Sequence, residues 1–341
     1  MNPPRLSICI PTYNFGAFIG ETLESIVCQA TDETEIVIVD GASTDNTAQI
    51  IQEFQRRFSR ICYHRREVNM GVDKDLAKAV ELAQGDYCWL MSSDDVLLPG
   101  SIKRISDEIL SGYAVYLGTR IDCDRDLNPI RKKQWFPKNT HDQVFDLSSE
   151  AGLLAYLNQA RSLGALFSYI SAIVFARQGW NAIAYDETLT GTHYAHVYRL
   201  FSAMKLAPSL KYLDYPLVWC RGYNDSFAAS GYARRMLIDI VGYDTLAQKL
   251  FDEVAIREAF KSVLQREYAW YVLAGFRHKV GDSSTWAGLE SRLLAYGFSR
   301  NKLILARLLG SLGVIVRLGR AVRNVVDATC YRLNGLLRAS L

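Results

Sequence analysis

Several features are missing from this chain of 341 residues, and each absence narrows what it can be. Its seven cysteines (Cys9, Cys28, Cys62, Cys88, Cys123, Cys220, Cys330) are scattered and contain no C-x-x-C pair, which argues against zinc and against a disulfide framework. Most lie inside apolar runs and are expected as buried free thiols. There is no G-x-G-x-x-G and no G-x-x-x-x-G-K-[ST], so the glycines that cradle phosphate in dinucleotide-binding and P-loop folds are absent. The formal net charge of +3 is too small to indicate a nucleic-acid partner. No apolar run suits a bilayer span, because Leu303 to Leu318 is short and is interrupted by Arg307 and Arg317. No internal repeat or low-complexity segment appears. Met1 to Arg5 leads directly into an apolar strand without a secretory leader pattern, which sets the expectation of a reduced, cytoplasmic protein.

What is present is the composition of an ordinary folded chain, 49% hydrophobic and 22% charged, with length for roughly two domains of ~150 residues. The charge is uneven. From Arg300 onward eight Lys or Arg face the single acid Asp327, a tail of +7 that leaves −4 for residues 1 to 299. The tail reads as basic amphipathic helices lying on an anionic membrane surface. A helical cap on the rest of the protein, or a contact between copies of the chain, is the alternative.

Strands and helices alternate through the first 120 residues. Leu6–Ile10 reads as a first strand ended by Pro11, the nearly all β-branched Glu35–Val39 as a second buried on both faces, and Ile61–His64 as a weaker third. Helices are expected after Gly16, from Asp45 or Thr44 as N-cap to about Phe58, from Val72 to Ala83, and from Leu98 to Leu110. Such alternation predicts a mostly parallel sheet with helices on both faces. Beyond Tyr113 the expected elements are strands at Ala114–Leu117, Tyr169–Phe175 and Tyr212–Trp219, with helices at Leu147–Ala160 and Tyr194–Lys205. Residues 120 to 145 look irregular, and the chain after Arg234 mainly helical.

The stretch Asp86–Asp95 organises the rest. Tyr87–Met91 is a short apolar run ending in Ser92-Ser93-Asp94-Asp95, as a buried strand ends in a polar turn. Ligands bind at that end of strands in open α/β sheets. Adjacent carboxylates there need a counter-charge, and a divalent cation bridging substrate phosphates supplies one. A solvated turn that caps the next helix is the other reading of the same residues.

Four pieces occur in order: Ser7-Ile8-Cys9-Ile10-Pro11-Thr12-Tyr13-Asn14; Glu35 to Asp40 followed by Gly41-Ala42-Ser43-Thr44-Asp45; Asn69-Met70-Gly71; and Ser92-Ser93-Asp94-Asp95 with Pro99. Together they resemble the family 2 glycosyltransferases of the GT-A fold, over roughly the first 120 residues. Cys220-Arg221-Gly222-Tyr223-Asn224-Asp225-Ser226-Phe227 further resembles the abequosyltransferase-like branch that builds O-antigens. The resemblance implies a Rossmann-like, mostly parallel sheet with a C-terminal helical extension, divided here as 1–118 for the nucleotide-sugar half, 119–234 for the acceptor half and 235–341 for the helical region. It implies a nucleotide-diphospho-sugar donor, a lipid-linked oligosaccharide acceptor at the inner membrane, and Mg²⁺ or Mn²⁺. The donor-binding residues it implies are Pro11, Thr12, Tyr13, Asp40, Ser43, Asn69, Ser93, Asp94, Asp95 and Arg221. Asp40 would accept a hydrogen bond from the base, Asp94 would hold the metal, and Arg221 would reach the diphosphate.

The sequence departs from the family at three places. Ser92 stands where the first Asp of the metal motif is usual. Leu76 stands where many members carry an Arg, with Lys74 or Lys78 as substitutes. Tyr185-Asp186-Glu187-Thr188-Leu189 approaches the site of the general base, yet His193 occupies the expected Asp, with Arg199 downstream. His193 is the first candidate base and His196, on the same helical face, the second; Asp186 and Glu187 are fallbacks. A non-catalytic nucleotide- or carbohydrate-binding relative and a nucleotidyltransferase are the competing functions.

Overall fold

The computed structural model describes residues 3–222 and 232–311. Along these the chain runs β1 (Leu6–Thr12), α1 (Ile19–Val27), β2 (Thr34–Asp40), α2 (Thr47–Arg57), β3 (Ile61–Arg65), α3 (Val72–Leu82), β4 (Tyr87–Leu90), β5 (Val96–Leu97), α4 (Ser101–Glu108), β6 (Val115–Cys123), β7 (Pro129–Lys133), β8 (Gln143–Asp146), α5 (Glu150–Gln159), β9 (Ile173–Ala176), α6 (Arg177–Asn181), α7 (Ala195–Met204) and β10 (Ser209–Cys220). Helices α8 (Tyr232–Leu250), α9 (Val254–Glu267), α10 (Trp270–Val280), α11 (Ser283–Tyr296) and α12 (Arg300–Ser311) follow.

The strands form one sheet in the order β3-β2-β1-β4-β9-β6-β10-β5, with β7 added to β6 and β8 to β10. β1 lies parallel to β2 and to β4, and β2 parallel to β3. β9 reverses the direction between β4 and β6. Both β1 and β2 are buried at every position, and alternation divides their side chains between two cores. Leu6, Ile8, Ile10, Ile36 and Ile38 face α1, α2 and α4, whereas Cys9, Val37 and Val39 face α3 and the C-terminal helices. A run of Ile and Val without polar interruption therefore has an apolar partner on each side. At about 1.5–3 kcal/mol for each fully buried aliphatic side chain, this two-sided core fixes where the strands end. Those ends, Thr12, Asp40 and the turn after Leu90, lie on one edge of the sheet.

The structure corrects several expectations. Residues 120 to 145 are irregular only in part: β6 continues to Cys123, β7 lies within them and β8 begins there, leaving 124–128 and 134–142 as connections. The polar Arg131-Lys132-Lys133 is strand because its charges meet Asp122, Asp214 and Glu267 from neighbouring elements. Tyr169–Ala172 is no part of a strand; a 3₁₀ turn at Ile170–Ala172 precedes β9. α4 begins at Ser101, after Gly100 turns the chain with φ of 82°. α2 begins at Thr47, with Asp45 accepting the Thr47 N–H from outside the helix. The division at 118/119 falls inside β6, so the two halves share a strand of one continuous sheet. Only Cys9, Cys88 and Cys123 are buried among the described cysteines; Cys28 and Cys62 are exposed.

Candidate active site

The loops after β1 and β2 are stitched to each other. Asn14 takes a left-handed conformation with φ of 57°, its N–H donates to Ser43 Oγ at 2.9 Å, and its side-chain oxygen accepts the Thr44 N–H at 2.8 Å. Gly16 N–H donates to Asp45 at 2.9 Å. Pro11 and Thr12 are buried at the end of β1 and Tyr13 leaves 42% of its surface exposed, an aromatic face at the rim. Thr12 Oγ1 is buried without a hydrogen-bond partner. Asp40 is wholly buried: its carboxylate accepts the Ser43 N–H at 2.8 Å and the Tyr63 hydroxyl at 2.7 Å, with Arg65 Nε at 3.8 Å. Tyr63 and Arg65 carry no sequence signal and were missed. Asn69 sits beside Gly41, where an added Cβ would stand 3.5 Å from its side-chain oxygen.

The turn after β4 holds two carboxylates in different states. Asp95 is buried; it accepts hydroxyls from Tyr169 and Ser171, each at 2.6 Å, and the Arg221 N–H at 3.2 Å. Burial and the neighbouring Asp94 push its carboxyl up to about 7. Asp94 is half-buried and accepts the Ser92 hydroxyl, so the serine that replaces the usual acid serves its neighbour. Ser93 is buried between them in sequence. Mg²⁺ or Mn²⁺ fits this turn as a partner of substrate rather than as a standing site. Among the described residues no three His, Cys, Asp or Glu converge on one point, but Asp94 offers a hard oxygen ligand that diphosphate oxygens and water can complete.

Arg221 lies against the acidic turn, with its guanidinium engaged by protein groups. Its guanidinium is bonded to Glu21 and to the carbonyls of Asp94 at 3.1 Å and Arg125 at 2.6 Å, over the Phe18 ring, and its side chain is 4% exposed. It fastens the acidic turn to α1 and β10 rather than pointing to a diphosphate. Asn224 and Asp225 lie outside the described residues. The lysines flanking Leu76 are also engaged, Lys74 with Glu187 at 2.9 Å and Lys78 with Glu81 at 2.6 Å, while Leu76 is buried.

The two candidate histidines, but neither Asp186 nor Glu187, line a cavity of about 40 Å³ between α3 and α7, with Arg199, Asp73, Tyr185 and apolar neighbours including Ile170. His193 is not on the helix: α7 starts at Ala195, and His193 precedes it with φ of 65°. The two histidines nevertheless line the same cavity. Burial pushes the His193 imidazole below its ordinary value, opposed by the Asp73 and Asp239 charges and reinforced by Arg235. His196 is buried, and its Nε2 donates to the Phe167 carbonyl at 2.8 Å, a structural bond. Asp186 caps a 3₁₀ turn and pairs with Lys249 at 2.7 Å, and Glu187 is taken by Lys74. Arg199 donates to the carbonyls of Trp180 and Ile183 over the Trp180 ring; burial draws its guanidinium down to about 10.

One short segment connects the acidic turn to this cavity. Tyr169 and Ser171 hold Asp95, and Ile170 between them lines the cavity of His193. Residues 7–167 match the family described as Glycosyl transferase family 2. The abequosyltransferase RfbV of Salmonella typhimurium is 33% identical over 317 residues, covering 92% of this chain and 95% of that one. The chain belongs to glycosyl transferase family 2. Solved structures agree on the fold: Staphylococcus aureus TarS residues 1–349 in complex with UDP-GlcNAc matches with a TM-score of 0.59 at 18% identity, covering 90% of each chain. The mannosyltransferase PcManGT from Pyrobaculum calidifontis, in complex with GDP-Man and Mn²⁺, matches with a TM-score of 0.53 at 16% identity, covering 98% of this chain and 88% of that one. This family 2 glycosyltransferase thus has the GT-A sheet followed by a helical region.

Proposed function

We propose that this family 2 glycosyltransferase moves a hexosyl or deoxyhexosyl group from a nucleotide-diphospho-sugar to a hydroxyl of a bacterial surface glycan of the O-antigen type, with inversion. The observation that carries the reading is the shared segment 169–171, which sets the acidic turn and the His193 cavity side by side. The acceptor oxygen attacks the anomeric carbon and its proton passes to the His193 imidazole. The bond from that carbon to the diphosphate oxygen breaks, and the electron pair leaves on the nucleoside diphosphate. Mg²⁺ or Mn²⁺, held by Asp94 with diphosphate oxygens, would neutralise the leaving group. Tyr13, Thr12 and the Asp40–Tyr63 pair would receive the base, with Pro11, Ser43 and Asn69 shaping the loops around it.

The acceptor would be carried on polyprenyl diphosphate at a membrane surface. Among the described residues no helix is long and apolar enough to cross a membrane. Ile304, Leu305 and Leu308 of α12 and Trp270 and Tyr271 of α10 are nonetheless exposed, next to Arg300, Arg307 and a basic continuation. That combination suits interfacial binding to anionic lipid. The segment after Ser311, which carries most of this charge, lies outside the described residues.

The test supplies UDP-, CDP-, GDP- and dTDP-sugars, Mn²⁺ and a polyprenyl-diphosphate-linked saccharide to the full chain. Nucleoside diphosphate released in step with glycan extension supports the proposal. Pyrophosphate as product would indicate nucleotidyl transfer, and nucleotide binding without turnover a non-catalytic relative.

A further inference from the structure

His193 is one of five described non-glycine residues with positive φ, and it follows Gly191, whose φ is 82°. A β-carbon disfavours that conformation, so it persists where surrounding contacts impose it. Here Asp73 bonds the His193 N–H directly, and Asp239 holds the side chain of the next residue. Asp73 in the first turn of α3 is buried, and its Oδ2 accepts the N–H groups of Gly191 at 2.9 Å and His193 at 3.0 Å while its Oδ1 accepts that of Ala195 at 3.3 Å. The last of these is an end-of-helix donor of α7, whose N-cap residue Tyr194 makes no side-chain capping bond. An acid borrowed from another helix therefore serves as the cap. Asp239 of α8, 2% exposed, accepts the hydroxyls of Tyr194 and Tyr268 and pairs with Arg235. Tyr194 is the residue immediately after His193.

We propose that Asp73 and Asp239 are positioning residues for sugar transfer: they grip the Gly191–Tyr194 turn through its backbone and through the Tyr194 hydroxyl, and so aim the His193 imidazole at the acceptor hydroxyl. Helix α8 is then a working part of the active site, although it lies well beyond residues 7–167, where the family match ends. The inference rests on His193 acting as the base. The two grips differ in character. Asp73 holds three N–H groups and also places a negative charge beside the imidazole, whereas the Tyr194 hydroxyl holds geometry alone. The charged and titratable groups facing His193 are Asp73 from α3, Asp239 and Arg235 from α8, and His196, Arg199 and Tyr185 around the cavity.

The experiment measures steady-state transfer across pH, and equilibrium binding of free nucleoside diphosphate, for the full chain and for Tyr194→Phe, Asp239→Asn, Asp73→Ala and Asp73→Asn. Misaiming a base by about 1 Å costs on the order of 10²-fold in rate. The expected result is kcat lowered by that order in Tyr194→Phe, Asp239→Asn and Asp73→Ala, with KM for the donor and nucleotide affinity within about twofold of the parent. Asp73→Asn, which keeps one acceptor oxygen, should recover part of the loss. The acid limb of the profile should move to lower pH in both Asp73 variants and stay in place in Tyr194→Phe. Parent kcat in folded Tyr194→Phe, or a loss of kcat matched by loss of nucleotide binding, overturns the proposal; if Asp73→Ala or Asp239→Asn does not fold, Tyr194→Phe decides alone. His193→Ala in the same assay separates the two claims. Its inactivity beside a fully active Tyr194→Phe refutes the positioning role only, while an active His193→Ala refutes the base itself.

Discussion

Replacing His193 tests the chemistry most directly. A positioned general base contributes about 10²–10⁴-fold, so His193→Ala should raise the barrier by about 2.7–5.4 kcal/mol at 1.36 kcal/mol per decade. The structure also fixes the sign of the pH dependence. Burial disfavours the imidazolium, Asp73 and Asp239 partly restore it, and Arg235 opposes it; the outcome is an imidazole below its ordinary value of about 6.5. A base works unprotonated, so kcat/KM should rise with pH through a midpoint below about 6.5 and stay level near neutrality. The assay is initial-rate release of nucleoside diphosphate with saturating acceptor, in buffers spanning that midpoint, for the parent, His193→Ala and His193→Gln. Nucleotide affinity should be unchanged in both variants, because His193 lines the cavity of α3 and α7, whereas the proposed base-binding residues Thr12, Tyr13 and Asp40 are absent from its lining. A variant that keeps more than about a tenth of the parent rate, or that keeps the parent's acid limb, would falsify the assignment.

Asp94 is the half-buried carboxylate of the acidic turn, and if it holds the cation with diphosphate oxygens, then in Asp94→Ala the affinity for nucleoside diphosphate should no longer respond to Mn²⁺, and in the parent Mn²⁺ alone should bind weakly; titration calorimetry with and without nucleotide reads both. The Asp95 carboxyl, held up at about 7, stabilises the fold while protonated: that contribution is complete below the unfolded value of about 3.9 and lost as pH rises through about 7, up to ~4 kcal/mol. Urea unfolding at intervals between these limits should show the stability of the parent relative to Asp95→Asn falling as pH rises through about 7. Tyr63→Phe removes one of the partners of buried Asp40 and should cost about 1–3 kcal/mol of stability. The same change frees an acceptor for the base, so the preferred nucleotide should bind the folded variant more tightly; unchanged or weaker affinity by calorimetry would remove Asp40 from base recognition.

The parts of this fold legible in the sequence are those where a local pattern and a tertiary role coincide. β1 and β2 were readable because every residue faces a core, and the turn Ser92–Asp95 because a polar cluster ends a buried run. β7 was not, since Arg131, Lys132 and Lys133 find Asp122, Asp214 and Glu267 only after the sheet has formed. His193 was placed on the helix by its spacing from His196, and lies before it because Asp73, 120 residues earlier, draws the backbone N–H groups of the turn out of helical register. Arg221 was read as a phosphate ligand from its charge, and that charge is spent on Glu21 and on backbone carbonyls. Most of the deciding partners, Asp214, Glu267, Asp73 and Glu21, are distant in sequence and carry no motif.

Three of the buried acids share one device. Asp40 is bonded by Tyr63, Asp95 by Tyr169, and Asp239 by Tyr194 and Tyr268. A buried carboxylate without a donor costs far more than a hydrogen bond returns, and a tyrosine hydroxyl on a rigid ring meets part of that demand, beside Arg65 at Asp40 and Arg235 at Asp239. At Asp239 the arrangement can be permanent, because nothing has to enter. At Asp40 it has a consequence for binding. A base that reaches the carboxylate must exchange the Tyr63 hydroxyl for its own N–H, one hydrogen bond for another, so the net gain is small. A base without a suitably placed donor breaks a bond and replaces nothing. The Asp40–Tyr63 pair should therefore contribute little to nucleotide affinity and much to discrimination between bases, which is the division expected when a site's buried polar groups are already satisfied before the ligand arrives.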